Sequence, residues 1–198
     1  MGVEIERKFL LPPCDGNAVK ELLLKSRNAM LIQQAYFPSL DGEEAMRVRM
    51  CKVIKDRDAV TEEYGRMTVK SATGGRWRRE YEWDLPLQVA KDILFRQDSP
   101  PTVLSKRRFV LHLLGKQWEI DVFDHPHHKL CIAEIELETD DEPVTVNNYF
   151  GPEVTEYKEF YNAHLASCMY QTHPAYAYIL GVKRDIDTLW HTHTNKQV

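Results

Sequence analysis

Apolar and polar residues alternate with a period of two along much of this chain, and short clusters of Gly, Pro, Asn and Asp punctuate the alternation. That pattern predicts half-buried β-strands joined by turns. The first runs from Val3 to Leu11 and is ended by Pro12, Pro13 and Gly16. Asn17 can cap a helix reaching about Arg27, with apolar positions at helical spacing. Leu31 to Pro38 reads as a second strand, and Asp41-Gly42 turns the chain into a third, Glu44 to Val53. A charged loop then leads to a fourth, Arg66 to Ser71, and Gly74-Gly75 turns into a fifth, Arg76 to Leu85. Leu87 to Phe95 has the spacing of a short amphipathic helix, ended by Asp98-Ser99-Pro100-Pro101. Three further strands are predicted: Val103 to Leu114, Gln117 to Phe123, and Leu130 to Glu138. The pattern turns helical from about Thr155 to about Gln171, and again, after Pro174, from about Ala175 to Trp190.

Eight short strands with brief connections point to an antiparallel barrel or sandwich. What sets this chain apart is the polar face. Side chains of equal parity share one face of a strand, so Glu4, Glu6 and Lys8 lie together opposite Ile5 and Phe9, with Arg7 the exception. The same separation recurs in Arg47 with Arg49, Thr68 with Lys70, Arg78 with Glu80, Glu82 and Asp84, and Lys106 with Arg108. It continues in Glu119 with Asp121, and in Glu134, Glu136 and Glu138. For a single strand the plain reading is a solvated face. Clustering by sign argues otherwise, because like charges two residues apart repel unless a bound ion neutralises them. A closed barrel with these faces turned inward would surround a water-filled space with cations and carboxylates. The cations suit phosphoryl oxygens and the carboxylates suit a hard divalent ion.

Composition bounds the alternatives. With 198 residues, 43% hydrophobic and 28% charged, the chain can bury one core and is not a disordered polymer. A net charge of −4 gives no global reason to expect nucleic acid or an anionic membrane as partner, so an anion site must be local. No stretch approaches a membrane span and the N-terminus carries acids, which together predict a cytoplasmic protein. Cys14, Cys51, Cys131 and Cys168 are dispersed and are expected to be reduced. The corner His125-Pro126-His127-His128 reads as an exposed turn rather than a transition-metal site, as do His191 and His193. Tyr170, Tyr176, Tyr178 and Trp190 read as packing residues rather than a stacking platform for a base.

The run Glu4-Ile5-Glu6-Arg7-Lys8-Phe9-Leu10 resembles the ExExK signature of the CYTH superfamily, the triphosphate tunnel metalloenzymes. Gln34-Ala35-Tyr36, Arg47-Val48-Arg49, Thr68-Val69-Lys70, Arg78-Arg79-Glu80-Tyr81-Glu82, Lys106-Arg107-Arg108-Phe109, Glu119-Ile120-Asp121, Ala133-Glu134-Ile135-Glu136-Leu137, Glu153-Val154-Thr155 and Tyr161-Asn162 follow in that family's order. The resemblance implies a mainly β, α+β fold: an eight-stranded antiparallel closed β-barrel forming a tunnel, with flanking and C-terminal helices. It covers residues 1–166, leaving 167–198 as a helical extension that packs on or caps the barrel or supports a homodimer. It implies that Lys8, Arg47, Arg49, Lys70, Arg78, Lys106 and Arg108 bind phosphate. It implies that Glu4, Glu6, Glu119, Asp121, Glu134 and Glu136, with Glu80 and Glu82 in metal-binding or supporting roles, hold Mg²⁺ or Mn²⁺, and that Glu4, Glu6 and Lys8 are catalytic. The long charged loop after Arg49, and Glu159 where relatives often carry Arg, depart from the family pattern.

The implied activity is hydrolysis of a triphosphate, foremost inorganic tripolyphosphate to pyrophosphate and phosphate. Thiamine or nucleoside triphosphate hydrolysis and a class IV-type adenylate cyclase use the same grip, and the signature residues do not separate them. A module that binds polyphosphate without turnover is a further alternative, which the intact acidic set disfavours.

Overall fold

The computed structural model describes residues 2–12, 17–38, 44–56, 59–71, 77–124, 127 and 130–167. The elements in chain order are β1 (Gly2–Leu10), α1 (Asn17–Leu23), β2 (Ala29–Pro38), β3 (Glu44–Lys55), β4 (Ala59–Ser71), β5 (Trp77–Leu85), α2 (Leu87–Leu94), β6 (Val103–Leu113), β7 (Lys116–Phe123), β8 (Cys131–Leu137) and α3 (Asn162–Ser167), with a 3-10 turn at Lys158–Phe160 before α3. The architecture is a mainly β, antiparallel eight-stranded sheet with few helices. The strand order is β1-β5-β4-β3-β2-β6-β7-β8. β1 pairs with β5 over Gly2–Ile5 and with β8 over Ile5–Leu10.

One face of this sheet carries the apolar residues and is covered from outside. Phe9, Trp118, Ile120, Ala133 and Ile135 from β1, β7 and β8 pack with Val19 and Leu22 of α1 and with Phe150. The ring centroids of Trp118 and Phe150 are 4.3 Å apart, and Phe9 meets Trp118 edge-on at 5.7 Å. Around the sheet, Ala35, Val48 and Met50 pack against Ala90 and Leu94 of α2. Gly65 lets that helix approach, since a Cβ there would stand 2.7 Å from the Cβ of Ala90. Leu114 and Gly115, both at positive φ, make the two-residue turn between β6 and β7. That backbone twist suits a tight antiparallel hairpin.

Three local expectations are corrected. The stretch before Arg66 is not a loop, because the β3–β4 ladder continues through a bulge at Val53/Ile54 to Lys55↔Ala59. Thr61, Glu62 and Glu63 are all exposed there, and a strand wet on both faces shows no alternation. The helix expected from about Thr155 begins only at Asn162, after a 3-10 turn at Lys158–Phe160. The residues just before it, 151–154, run along β1, where Val154 N donates to Lys8 O (2.7 Å), Leu10 N to Pro152 O (3.0 Å) and Gly151 N to Leu10 O (2.7 Å), and this tertiary pairing delays the helix. His127 is buried rather than exposed, with Nε2 3.0 Å from the carbonyl of Leu165, one of the α3 carbonyls that has no partner within the helix.

Cys51 and Cys131 are buried and in no disulfide among the described residues, whereas Cys14 and Cys168 lie outside the described residues, as do His125, His128, His191, His193, the expected helix from Ala175 to Trp190 and the extension beyond Ser167. Among the described residues no helix is long and apolar enough to cross a membrane.

Candidate active site

Strand parity brings the expected residues onto one face of the sheet, where they form two groups. The first is built from β1, β6, β7 and β8. Lys8 sits opposite Glu134 in the β1–β8 ladder, and its Nζ lies 2.6 Å from Glu134 and 3.0 Å from Glu6. Arg108 reaches Asp121 and Glu134, at 2.7 and 2.6 Å, and also pairs with Glu119. Lys106 pairs with Asp121, and its Nζ lies 3.4 Å from Asn162 Oδ1 at the start of α3. This group is nearly dry: the side chains of Lys106 and Asp121 are 2% and 0% exposed.

The second group is built from β3, β4 and β5. Arg47 donates to Thr68 Oγ1 (3.1 Å) and faces Glu80 (3.4 Å). Arg49 pairs with Glu82 (2.9 Å), and Lys70 with Glu80 (3.1 Å). Arg66 stands directly across from Arg49 in the ladder. Two guanidinium groups there would repel, but Glu82 bridges them, 3.2 Å from Arg66, and Asp84 takes the far side of Arg66 at 3.1 Å. This group grades into solvent, with Asp84 83% exposed. Within it the Nε atoms of Arg47 and Arg49 are buried and have no hydrogen-bond partner among the described residues. A buried N–H left without an acceptor is costly, and both belong to cations on the face where an anion is expected.

The electrostatics follow from burial set against pairing. Burial pulls the Lys8 ammonium down, but Glu134 and Glu6 outweigh it and its pKa is raised. For Lys106 burial wins: with Arg108 adding repulsion, its pKa falls to about 8 despite Asp121 and Glu134. Burial pushes the Glu134 carboxyl up, and the cations Lys8, Arg108 and Lys106 then hold it well below the ordinary carboxylate range. Glu82 is likewise lowered, with Arg49, Thr68, Arg66 and Arg47 overcoming burial. Arg49, buried beside Arg47, is lowered.

At one end the same face becomes apolar. Leu10, Leu104, Phe123 and Ile132, each of the parity of its strand's charged residues, pack with Val154, Phe160, Leu165 and Ala166. The segment leading into α3 therefore covers that end, and the charged residues lie between this apolar patch and the wetter end marked by Glu119 and Asp84.

Glu4 lies opposite Arg78 in the β1–β5 ladder, but their side chains lie outside the described set. Glu136 is exposed and opposite Glu6. Two participants carried no expected role. Arg66 opens the predicted fourth strand and shares the parity of Thr68 and Lys70, so the alternation rule already marks it. Asn162 comes from beyond the strands, and no parity signal points to it.

Among the described residues no three His, Cys, Asp or Glu side chains form a ready-made ion site. The donors available include the carboxylate oxygens of Glu6, Glu80, Glu82, Glu119, Asp121 and Glu134, each engaged with a cation, which fits a hard divalent ion that arrives together with an anionic substrate.

No protein-family model matches the chain. The inorganic triphosphatase of Acetivibrio thermocellus is 33% identical over 171 residues, which cover 86% of this chain and 97% of that protein. The crystal structure of the inorganic triphosphatase NE1496 superposes with a TM-score of 0.53 at 25% identity, covering 84% of this chain and 95% of that one. A second structure of NE1496, described as a hypothetical protein, gives 0.52 at 27% identity over 82% and 97% of the two chains. This extent of identity over most of both chains shows that the chain belongs to the CYTH superfamily, the triphosphate tunnel metalloenzymes.

Proposed function

We propose that the charged face is the wall of a closed tunnel and that the protein hydrolyses the terminal phosphoanhydride of inorganic tripolyphosphate, yielding pyrophosphate and phosphate. Closure is supported by the two ladders of β1, to β5 and to β8. The observation that carries the activity is the set of facing cations and carboxylates that includes the two unpartnered arginine N–H groups. Among the described residues the site's cations and carboxylates are paired with one another. A triphosphate takes over the cations and leaves the carboxylates to a divalent ion.

In this reading Lys8, Lys106 and Arg108 hold phosphoryl oxygens on one side, and Arg47, Arg49, Lys70 and Arg78 on the other. Negative charge building on the transferred group and on the leaving pyrophosphate is stabilised by donors already in place. Glu80 and Glu82 hold Arg47, Arg49 and Lys70 in position. The acids that would bind Mg²⁺ or Mn²⁺ are Glu4, Glu6, Glu119, Asp121, Glu134 and Glu136. When bound, the ion supplies Lewis-acid polarisation of phosphate oxygens. Proton acceptance from the attacking water needs a carboxylate that water reaches. Glu119 and Glu6, 35% and 20% exposed, satisfy that condition better than the sealed Asp121.

The test is phosphate release from tripolyphosphate, ATP and thiamine triphosphate, each with Mg²⁺, Mn²⁺ or Ca²⁺. Fastest turnover of tripolyphosphate with Mg²⁺ or Mn²⁺ is expected. Cyclic AMP and pyrophosphate from ATP without phosphate release would instead make the protein a cyclase, and binding without turnover of any of the three would make it a sequestering module.

A further inference from the structure

Arg7 interrupts the apolar side of β1, and its surroundings show what it does there. Its guanidinium lies over the Phe9 ring, 5.2 Å from the centroid. It grips Glu153 with two donors, Nε to Oε1 at 2.9 Å and Nη2 to Oε2. Glu153 Oε1 also accepts from Thr155 Oγ1 at 2.7 Å, and that hydroxyl oxygen accepts the backbone N–H of Lys8 at 3.1 Å. The Lys8 carbonyl accepts from Val154 N at 2.7 Å. Both backbone groups of Lys8 are therefore held by the segment that Arg7 anchors.

This stretch falls where β1 changes partners. The ladder to β5 ends at Ile5↔Trp77, while the ladder to β8 continues to Leu10. From Lys8 to Leu10 the other edge of β1 is filled by residues 151–154 rather than by a strand. A strand edge with no partner is free to slip, and a slip of one residue turns every side chain to the opposite face. Here it would carry Lys8 away from its cross-strand partner Glu134 and put Arg7 in its place.

We propose that Arg7, Glu153 and Thr155 are positioning residues that latch β1 and so fix the Lys8 ammonium at the phosphate site; the proposal rests on the triphosphatase reading above. None of the three needs to touch substrate. Glu153 acts through Arg7 and Thr155, and Thr155 acts through the Lys8 backbone. The same groups also hold the fold together, so the test must separate positioning from stability.

The experiment measures kcat and KM for tripolyphosphate, together with melting temperature, for Glu153→Gln, Thr155→Val, Lys8→Ala, Lys8→Ala with Glu153→Gln, and Lys8→Ala with Thr155→Val. A tenfold to hundredfold fall in kcat/KM is expected for Glu153→Gln, roughly the effect of losing a supporting partner of a site residue. A smaller fall is expected for Thr155→Val, which removes only the hydroxyl, with the protein still folded at the assay temperature. With Lys8 already replaced, either change should cost less than about twofold, because a positioning residue has nothing left to position. Exchanging the charges, Arg7→Glu with Glu153→Arg, should recover most of the Glu153→Gln loss. Losses that multiply in the Lys8→Ala background, or unchanged kcat/KM in folded single variants, would overturn the latch. Should Glu153→Gln fail to fold, the Thr155→Val series decides by the same criteria. Absence of turnover by the wild type would overturn the triphosphatase reading and the latch with it, whereas wild-type turnover with multiplying losses would overturn the latch alone.

Discussion

The two halves of the charged face handle charge differently. On β1, β6, β7 and β8, the cations Lys8, Lys106 and Arg108 interlock with Asp121 and Glu134 in nearly water-free surroundings, with Glu6 and Glu119 at the hydrated margin. On β3, β4 and β5, the cations Arg47, Arg49, Arg66 and Lys70 share Glu80, Glu82 and Asp84 in wetter surroundings. The first group has one more carboxylate than cation, and the second one more cation than carboxylate. Buried pairs are costly to break singly because the abandoned partner stays uncompensated, whereas exposed pairs contribute little. The first half is thus a rigid acidic wall suited to metal and general-base work. The second is a more adaptable basic wall that holds the two open arginine donors.

Removing one anion from each wall should separate them most clearly. Glu134→Gln removes the buried carboxylate that Lys8 and Arg108 share, and it is expected to cost about 3–5 kcal/mol in denaturant unfolding and about 10²–10³ in phosphate release. Glu82→Gln should cost no more than about 1 kcal/mol, because Arg49 and Arg66 remain partly hydrated. Equal destabilisation would erase the distinction. Next in size is Arg49→Ala, expected to raise KM for tripolyphosphate by roughly 10–100-fold through loss of charge-assisted hydrogen bonds. Its unfolding free energy should change by less than about 1 kcal/mol. Arg49→Lys should recover only part of the KM, since an ammonium lacks the forked donors. A large loss of stability in Arg49→Ala would make it part of the rigid wall.

The smallest effect expected is in pH. The folded protein holds Glu134 well below the ordinary carboxylate range. Its contribution to stability is therefore complete above the unfolded value, about 4.3, and is lost as pH falls through the lower folded value. Denaturant unfolding followed from pH 7 downward should show this decline in the wild type and a shallower one in Glu134→Gln. Identical slopes would mean that the acidic wall is not where acid sensitivity originates.

Much of this contrast was legible in the sequence, because it rests on strand parity. Lys8, Arg47, Arg49, Lys106, Arg108, Glu119, Asp121 and Glu134 share one face by alternation alone. What alternation could not show was set by contacts distant in sequence. Glu62 and Glu63 belong to an end of β4 that is wet on both faces, so they read as loop. Val154 pairs with Lys8 across most of the chain, which overrides the helical spacing that follows it. His127 is buried against α3, with Nε2 on the carbonyl of Leu165 38 residues away, and that contact cannot be read from a histidine beside a proline. Arg7 looked like an exception because its partner, Glu153, lies 146 residues away.

The central claim is that both walls grip one triphosphate. It is tested most directly by steady-state phosphate release from tripolyphosphate with Mg²⁺ or Mn²⁺, comparing the wild type with Lys8→Ala on the acidic wall and Arg49→Ala on the basic one. Release by the wild type is predicted, with kcat/KM lowered at least about tenfold in each folded variant. No release by the wild type, or wild-type kcat/KM in either variant, would contradict it.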